Sequence, residues 1–584
     1  MRRSLSWFLL SVVVAAISFP LAALSTPSAQ DPLLLAMQAE LARATKALAK
    51  SDPPPYYLTY AVTKSDGAIA VASSGALIFS ITVRASHADV IMRVGSLALD
   101  NTHGQSRPSG ISSGLLPLAD DPDAVSRILW QLTDMEYQKA SAAFLNVKTQ
   151  TAVRSEEEDK SPDFSNEAPQ IREDDSTIRV AFDRKDWDAR TRKISADFLK
   201  YPEVYSSVVS FAASNQRSYL ATSDGTALIR PAGISRLVIQ AETRADDGME
   251  LMRVESFQGA TVDQLPTDAQ LSAVTQKMAA DLKALRAAPV AEPFAGPAML
   301  SGRAAAVFFH EVLGHRLEGH RQRDENEGQT FTKKVGQLVL PSFLTVTDDP
   351  TMKTLNGITL AGSYDFDDEG VPAQRVVAVD NGILKNFLMS RMPITGFSQS
   401  NGHGRRQAGL MPTGRQGNLI VTSTKSVSES ELRAKFIEEI KKSGKPYGLY
   451  FDDIQGGFTL TQRSLPQAFQ VIPVMVYRVY PDGRPDELVR GVDIVGTPLL
   501  SLNNIILTGD TLRVFNGVCG AESGQVPVAA VAPAMLFSEI EVQKRRRGTE
   551  RPPILPPPGF ESAASPASSA AAAPATAAAP GAKP

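Results

Sequence analysis

The stretch Ala304-Ala305-Ala306-Val307-Phe308-Phe309-His310-Glu311-Val312-Leu313-Gly314-His315-Arg316-Leu317-Glu318-Gly319-His320 decides the architecture. Ala304 to Phe309 carries no polar side chain. A helix with no face to offer to water must lie inside the protein. This buried helix then delivers His310, Glu311 and, five positions on, His315. Five residues advance about 500° on an ideal helix, which leaves the two imidazoles about 140° apart. They can meet only if the helix is irregular between them. A π-type turn would narrow the angle. Gly314, immediately before His315, is a place for such a distortion or for the helix to end.

An apolar helix presenting His-Glu and then a second His holds the parts of a zinc-peptidase site, in which two imidazoles bind the metal and the glutamate activates water. The familiar spacing, His-Glu-x-x-His, puts the histidines four apart on one face. Here they are five apart, so spacing alone leaves metal ligation and ordinary core or surface histidines as equal alternatives. Three of the six histidines of the chain fall between positions 310 and 320, which favours metal.

Working outward, the second half reads as strand and turn. Val376–Val379 and Ile383–Leu388 flank Asp380-Asn381-Gly382, a type I′ hairpin signal. Val471–Tyr480 and Leu488–Val495 flank Pro481-Asp482-Gly483, and Thr511–Phe515 and Val526–Val531 flank a glycine-rich loop holding Cys519. One helix interrupts this near Ser428–Ser443. Asp365, Asp367, Asp368 and Glu369 lack the full pattern of a calcium loop and read as structural. The first half mixes periods. Asp31–Ala49, Val125–Phe144 and Asp263–Ala288 are helical. Tyr56–Leu99, with a turn at Ser65-Asp66-Gly67, and Val204–Gln240 are strands. Arg154–Asp175 is a charge-rich loop. The junction Pro289–Pro297 divides an N-terminal α/β domain (31–290) from a β-rich C-terminal domain (298–545) carrying the buried metal helix, an α+β fold.

The chain has 584 residues, 43% hydrophobic and 21% charged, so a sizeable core is available. Sixty basic against 63 acidic residues give a net charge of -3, which argues against a nucleic-acid binder relying on an overall positive field. A single cysteine excludes an intramolecular disulfide framework. Arg2 and Arg3, the apolar run Trp7–Ala23 and the small residues Ala23-Leu24-Ser25 read as a signal peptide over 1–25. The expectation is an exported, periplasmic or extracellular protein with no membrane contact after signal removal. From 548 to 584 the Pro/Ala-rich composition reads as a disordered tail.

Five ordered blocks resemble the TldD/PmbA family, metallopeptidases with an older label as modulators of DNA gyrase. They are His310-Glu311-x-x-Gly314-His315-x-Leu317-Glu318-Gly319; Asp367-Asp368-Glu369-Gly370-Val371-Pro372; Asn381-Gly382-Ile383-Leu384; Gly402-His403-Gly404-Arg405-Arg406; and Gly517-Val518-Cys519-Gly520 with Gly524-Gln525-Val526-Pro527. The resemblance implies one zinc per chain held by His310, His315 and Cys519, with Glu311 as general base on a zinc-activated water; the β-rich second half, to whose sheet edge a substrate could add as an extended strand, points to short or unfolded peptides. It also implies a homodimer or a heterodimer with a homologous subunit. His320 stands where the family is usually acidic and competes with Cys519 as third ligand. Arg405 and Arg406 are candidates for a substrate carboxylate. The alternative reading is a non-catalytic, zinc-stabilised binding or assembly subunit.

Overall fold

The computed structural model describes residues 31–104, 111–151, 159–174, 176, 180–324, 326–328, 330–464, 468–545 and 550–560. The expected signal peptide and the tail beyond Phe560 lie outside the described residues. At the tail's described start, Glu550 pairs with Arg244 at 2.8 Å and Arg551 donates to the Asp246 carbonyl at 3.3 Å.

The first half is one sheet with helices on it. Helix α1 (Pro32–Leu48) starts where the Asp31 carboxylate accepts from the Leu33 amide at 3.0 Å, a cap that satisfies an otherwise orphaned donor. Strands β1 (Pro55–Ser73), β2 (Ala76–Val94), β3 (Ile111–Leu115), β4 (Ile171–Glu173), β5 (Ser206–Thr222), β6 (Ala227–Arg244) and β7 (Glu250–Gly259) follow in chain order. They lie as β3-β2-β1-β5-β6-β4, with β7 also on β6, and only the β4–β6 pair is parallel. Residues 209, 211, 213, 219 and 221 of β5 and 227, 229, 237, 239 and 241 of β6 are all buried. The two-residue period of a strand puts these odd positions on one face. Helices α1, α2 (Pro122–Thr151), α3 (Arg184–Asp197) and α4 (Asp268–Ala287) cover that face. The even positions of β5 and β6 turn towards the second half, where Arg230 donates to the Phe366 and Asp367 carbonyls, both at 2.8 Å.

The expected turn at Ser65-Asp66-Gly67 is instead mid-strand. β1 runs through it and turns at Ser74-Gly75, with φ of 49° and 81°. Gly67 is there for close approach: a Cβ on it would sit 2.3 Å from the Ala213 carbonyl oxygen of β5. By contrast Asn381 and Gly382 form the anticipated hairpin, both with positive φ, 47° and 80°.

In the second half, β8 (Phe294–Leu300) pairs in parallel with the strand Gly448–Thr459 and antiparallel with the long strand Gly524–Lys544. The strands Phe469–Val479 and Val492–Gly496 bridge those two, so five strands close a ring. Helix α5 (Gly302–Val312) packs against three of these strands, Gly448–Thr459, Phe469–Val479 and Gly524–Lys544, and against the strand Ile505–Ala521, with Ala304 to Val312 buried throughout. Phe308 meets Phe469 and Phe537 edge to face at 5.6 and 5.4 Å. Ser301 caps the helix by accepting from the Ala304 amide at 3.2 Å and ties it to the ring by donating to the Asp452 carbonyl at 2.7 Å. Cys519 is not in a loop. It sits within the strand Ile505–Ala521, opposite Val526, because the glycine-rich segment completes a long hairpin and turns only at Glu522-Ser523.

Gly67→Ala should lower stability by about 1–3 kcal/mol, the cost of forcing an extra carbon into a filled space. Gly456→Ala, whose Cβ would meet nothing within 4 Å, should move the melting midpoint little. Thermal melts of the two variants check this.

Candidate metal centre

Helix α5 ends after Val312, and Gly314–Leu317 continues as a tighter 3-10 turn. The needed irregularity is therefore termination, not a π-type turn. Gly314 is required by contact rather than by φ, since a Cβ on it would lie 2.0 Å from Oε1 of Gln416. The break swings His315 back, and the two imidazole centroids come to 5.1 Å at an interplanar angle of 77°. The hairpin Ile505–Lys544 brings Cys519, 204 residues from His315, to the same point, with Sγ 3.4 Å from His315 Nε2.

One donor atom from each of His310, His315 and Cys519 lies within 4.8 Å of the others. Ligands of a tetrahedral zinc, at about 2.0–2.1 Å for nitrogen and 2.3 Å for sulfur, sit roughly 3.5 Å apart. The donor set and its spacing fit a zinc ion. All three residues are buried. Burial pushes the Cys519 thiol up, but the His315 and His310 imidazoles pull it down further, so it lies well below the ordinary thiol range. Burial in turn lowers His310 and His315, and the thiolate and the neighbouring carboxylates more than reverse this in each. A thiolate flanked by two nitrogens is the form that binds metal.

Three residues the sequence reading left without a role complete the centre. Glu318, fully buried, accepts from His315 Nδ1 at 3.2 Å, which leaves Nε2 to face the cluster. Burial raises its carboxyl, but His315 and then Arg321 overcome that and bring it to about 2. Arg415, also fully buried, lies 3.4 Å from Glu318 and donates to the Cys519 carbonyl at 2.9 Å. Gln416 fills the notch at Gly314 and donates to the His310 carbonyl at 3.4 Å.

His320 points elsewhere. It pairs with Glu522 in the hairpin turn. Glu318, His320 and Glu522 also lie within 4.8 Å of one another, but Arg321 already bonds both carboxylates, each at 2.8 Å. That group is a compensated ion-pair network. Arg405 and Arg406 are not brought to the cluster. Arg405 donates to the Gln416 carbonyl at 2.6 Å and stacks over Tyr364, and Arg406 pairs with Asp89 of β2 at 2.6 Å. Asp367 accepts from the amides of Glu369, Val371 and Gly404, the work of a structural loop.

Glu311 lies beside the ligands, with Oε2 4.0 Å from His315 Nε2. It lines a cavity of about 690 Å³ that also reaches His310, His315 and Cys519. The strand Gly448–Thr459 passes over it at Gly457, where a Cβ would lie 2.9 Å from the glutamate Cγ.

Cys519→Ala should abolish tight zinc binding, whereas His320→Ala should leave zinc stoichiometry intact; metal analysis of the purified variants decides the third ligand. A cobalt-loaded sample should show the intense near-ultraviolet band of a thiolate ligand. Glu318→Gln should weaken zinc binding by about 10- to 100-fold. In metal-free protein the same carboxylate, lower folded than unfolded, contributes stability above about pH 4–5 that is lost as pH falls towards 2. Glu318→Gln should therefore flatten the acid limb of a stability-against-pH curve.

Residues 295–544 match the family model of the PmbA/TldA metallopeptidase C-terminal domain. The Metalloprotease TldD homolog of Haemophilus influenzae is 30% identical over 251 residues, 42% of this chain and 48% of that protein. A metalloprotease of Methanothermobacter thermautotrophicus is 32% identical over 231 residues, 39% of this chain and 45% of that one. The chain thus spans about half the length of the curated relatives it matches. The crystal structure of TldE from Thermococcus kodakarensis shares the fold across 87% of this chain and 100% of its own, at a TM-score of 0.58 and 15% identity. With the His/Cys cluster, the buried helix and the matched segment in agreement, residues 295–544 form a C-terminal domain of the TldD/PmbA metallopeptidase family.

Proposed function

We propose that this chain is a zinc-dependent peptidase that hydrolyses short or unfolded peptides. The observation that carries the reading is Glu311, a carboxylate 4.0 Å from a ligand imidazole and open to a cavity of about 690 Å³. A zinc ion held by His310, His315 and Cys519 supplies Lewis acidity towards a scissile carbonyl and a nucleophile at neutral pH. Glu311 takes a proton from the attacking water and returns it to the leaving amine. Glu318 holds the His315 ring in one tautomer while this happens.

The form of the substrate follows from a strand edge. From Asp453 onward the strand Gly448–Thr459 pairs only with Phe469–Val479, and Ile454 to Leu460 line the cavity. An extended peptide can add to that free edge, its backbone amides and carbonyls completing the ladder. A compact folded protein offers no such strand. We place the activity outside the cytoplasm on the strength of residues 1–25, and we infer a second, homologous subunit from the fold shared with TldE. A purely structural zinc centre would be closed by a fourth protein ligand and would have no use for Glu311, which sets the non-catalytic reading second.

Glu311→Gln should keep zinc and fold but lose about 10²- to 10⁴-fold in turnover of an unfolded peptide. Unchanged turnover would move the base to another residue. A tightly folded protein offered under native conditions should survive, and rapid cleavage of it would count against the strand-edge route.

A further inference from the structure

Four arginines line the cavity: Arg236, Arg253, Arg303 and Arg321. Three of them are charge-compensated. Arg253 pairs with Asp453 at 2.7 Å, Glu255 at 3.1 Å and Asp281 at 3.2 Å. Arg303 pairs with Asp453 at 3.3 Å and Glu255 at 3.6 Å. Arg321 holds Glu318, Glu327 and Glu522 at 2.8, 3.0 and 2.8 Å.

Arg236 differs. Among the described residues no carboxylate lies within ion-pair distance of it, and its Nε donates to the Ser256 hydroxyl of β7 at 3.2 Å. It stands at an even position of β6, between the buried Ser235 and Leu237 and on the face away from helices α3 and α4. It is partly buried, and burial alone lowers its pKa, with no acidic neighbour acting to raise it. A desolvated cation without a counter-ion is costly unless a ligand supplies the opposite charge.

We propose that Arg236 is a specificity residue that binds a carboxylate of the peptide substrate, placed in the cavity by the N-terminal half while the C-terminal half holds the metal cluster. With Nε committed to Ser256, the two Nη groups keep their donors for an incoming carboxylate, a charge-assisted geometry that lysine cannot copy. The carboxylate comes either from the peptide C-terminus or from an acidic side chain. The role assigned to Arg236 rests on the peptidase reading only in taking a peptide as the ligand.

The test uses the full chain and matched peptide pairs. One pair differs as C-terminal acid against C-terminal amide, the other as internal glutamate against glutamine. Affinity is read by fluorescence anisotropy on the Glu311→Gln variant, and KM and kcat on the unaltered chain. At least one acidic member should bind about 10- to 100-fold more tightly than its neutral twin. Arg236→Met should erase that ratio, Arg236→Lys should restore part of it, and the difference should fall in KM rather than kcat. The pair that discriminates identifies the source of the carboxylate. Equal binding of both members of both pairs, or a preference that survives Arg236→Met, overturns the proposal. Should Arg236→Met fail to fold, the two pairs on the unaltered chain and the Arg236→Lys ratio still decide. Selective binding without any cleavage would sink the peptidase reading and leave the anion site standing. Cleavage without selectivity would do the reverse.

Discussion

The centre depends on one buried ion pair, Glu318 with Arg415. Both side chains are fully buried, and a buried carboxylate or guanidinium left alone would cost several kcal/mol. Together they span the gap between two distant segments. Glu318 turns its other contacts to His315 and Arg321, and Arg415 turns its own to the Cys519 carbonyl, the Ser523 hydroxyl and the Gly524 carbonyl. Cys519 is therefore held through its backbone by the same network that orients His315. Removing Glu318 would strand Arg415 in the interior, since among the described residues no other carboxylate lies within ion-pair distance of it, so the link tolerates little change.

Helix α5 can be apolar on every side because the strands and core side chains of the second half cover it. Ala304 to Phe309 face strands all round, and small residues at 304 to 306 let those strands come close. Gln416 occupies the space a side chain at position 314 would need, so the chain must tighten there. Termination at that point turns a five-residue spacing, unfavourable on a straight helix, into a shared site.

Much of the second half was legible because its signals are local. The Asn381-Gly382 turn, the Ser428 cap of the helix Glu429–Ser443 and the apolar run before His310 each carry their reason within a few residues. The turn in β1 was misplaced because Gly67 looks like a turn glycine, while its cause is a neighbouring strand more than a hundred positions away. Cys519 was read as a loop residue for a similar reason: glycines flank it, and the partner that makes it a strand lies across the hairpin. Arg415 carries no sequence signal because arginine reads as a surface residue, and only tertiary contacts tell a buried guanidinium from a solvated one. Arg236 is marked by a missing partner, which no sequence pattern records.

On the proposed reading, chemistry and selection would sit on different parts of the chain. The ligands, Glu311 and the free strand edge all fall within residues 295–544, the matched family domain. Arg236, Arg253, Val254 and Ser256 of the opposite cavity wall lie on β6 and β7, outside it. The second half must keep several atoms in register at once, since Glu318 meets His315 and Arg415, Arg415 meets Glu318 and the Cys519 carbonyl, and Gln416 donates to the His310 carbonyl. On the wall from β6 and β7, Arg236 carries no such burden, its hydrogen bond being to the Ser256 hydroxyl. An outward-facing strand position can change its side chain without disturbing the face beneath, because the two faces alternate. The fold can therefore vary what it binds by substitution at even positions of β6, while the metal cluster across the cavity stays as it is.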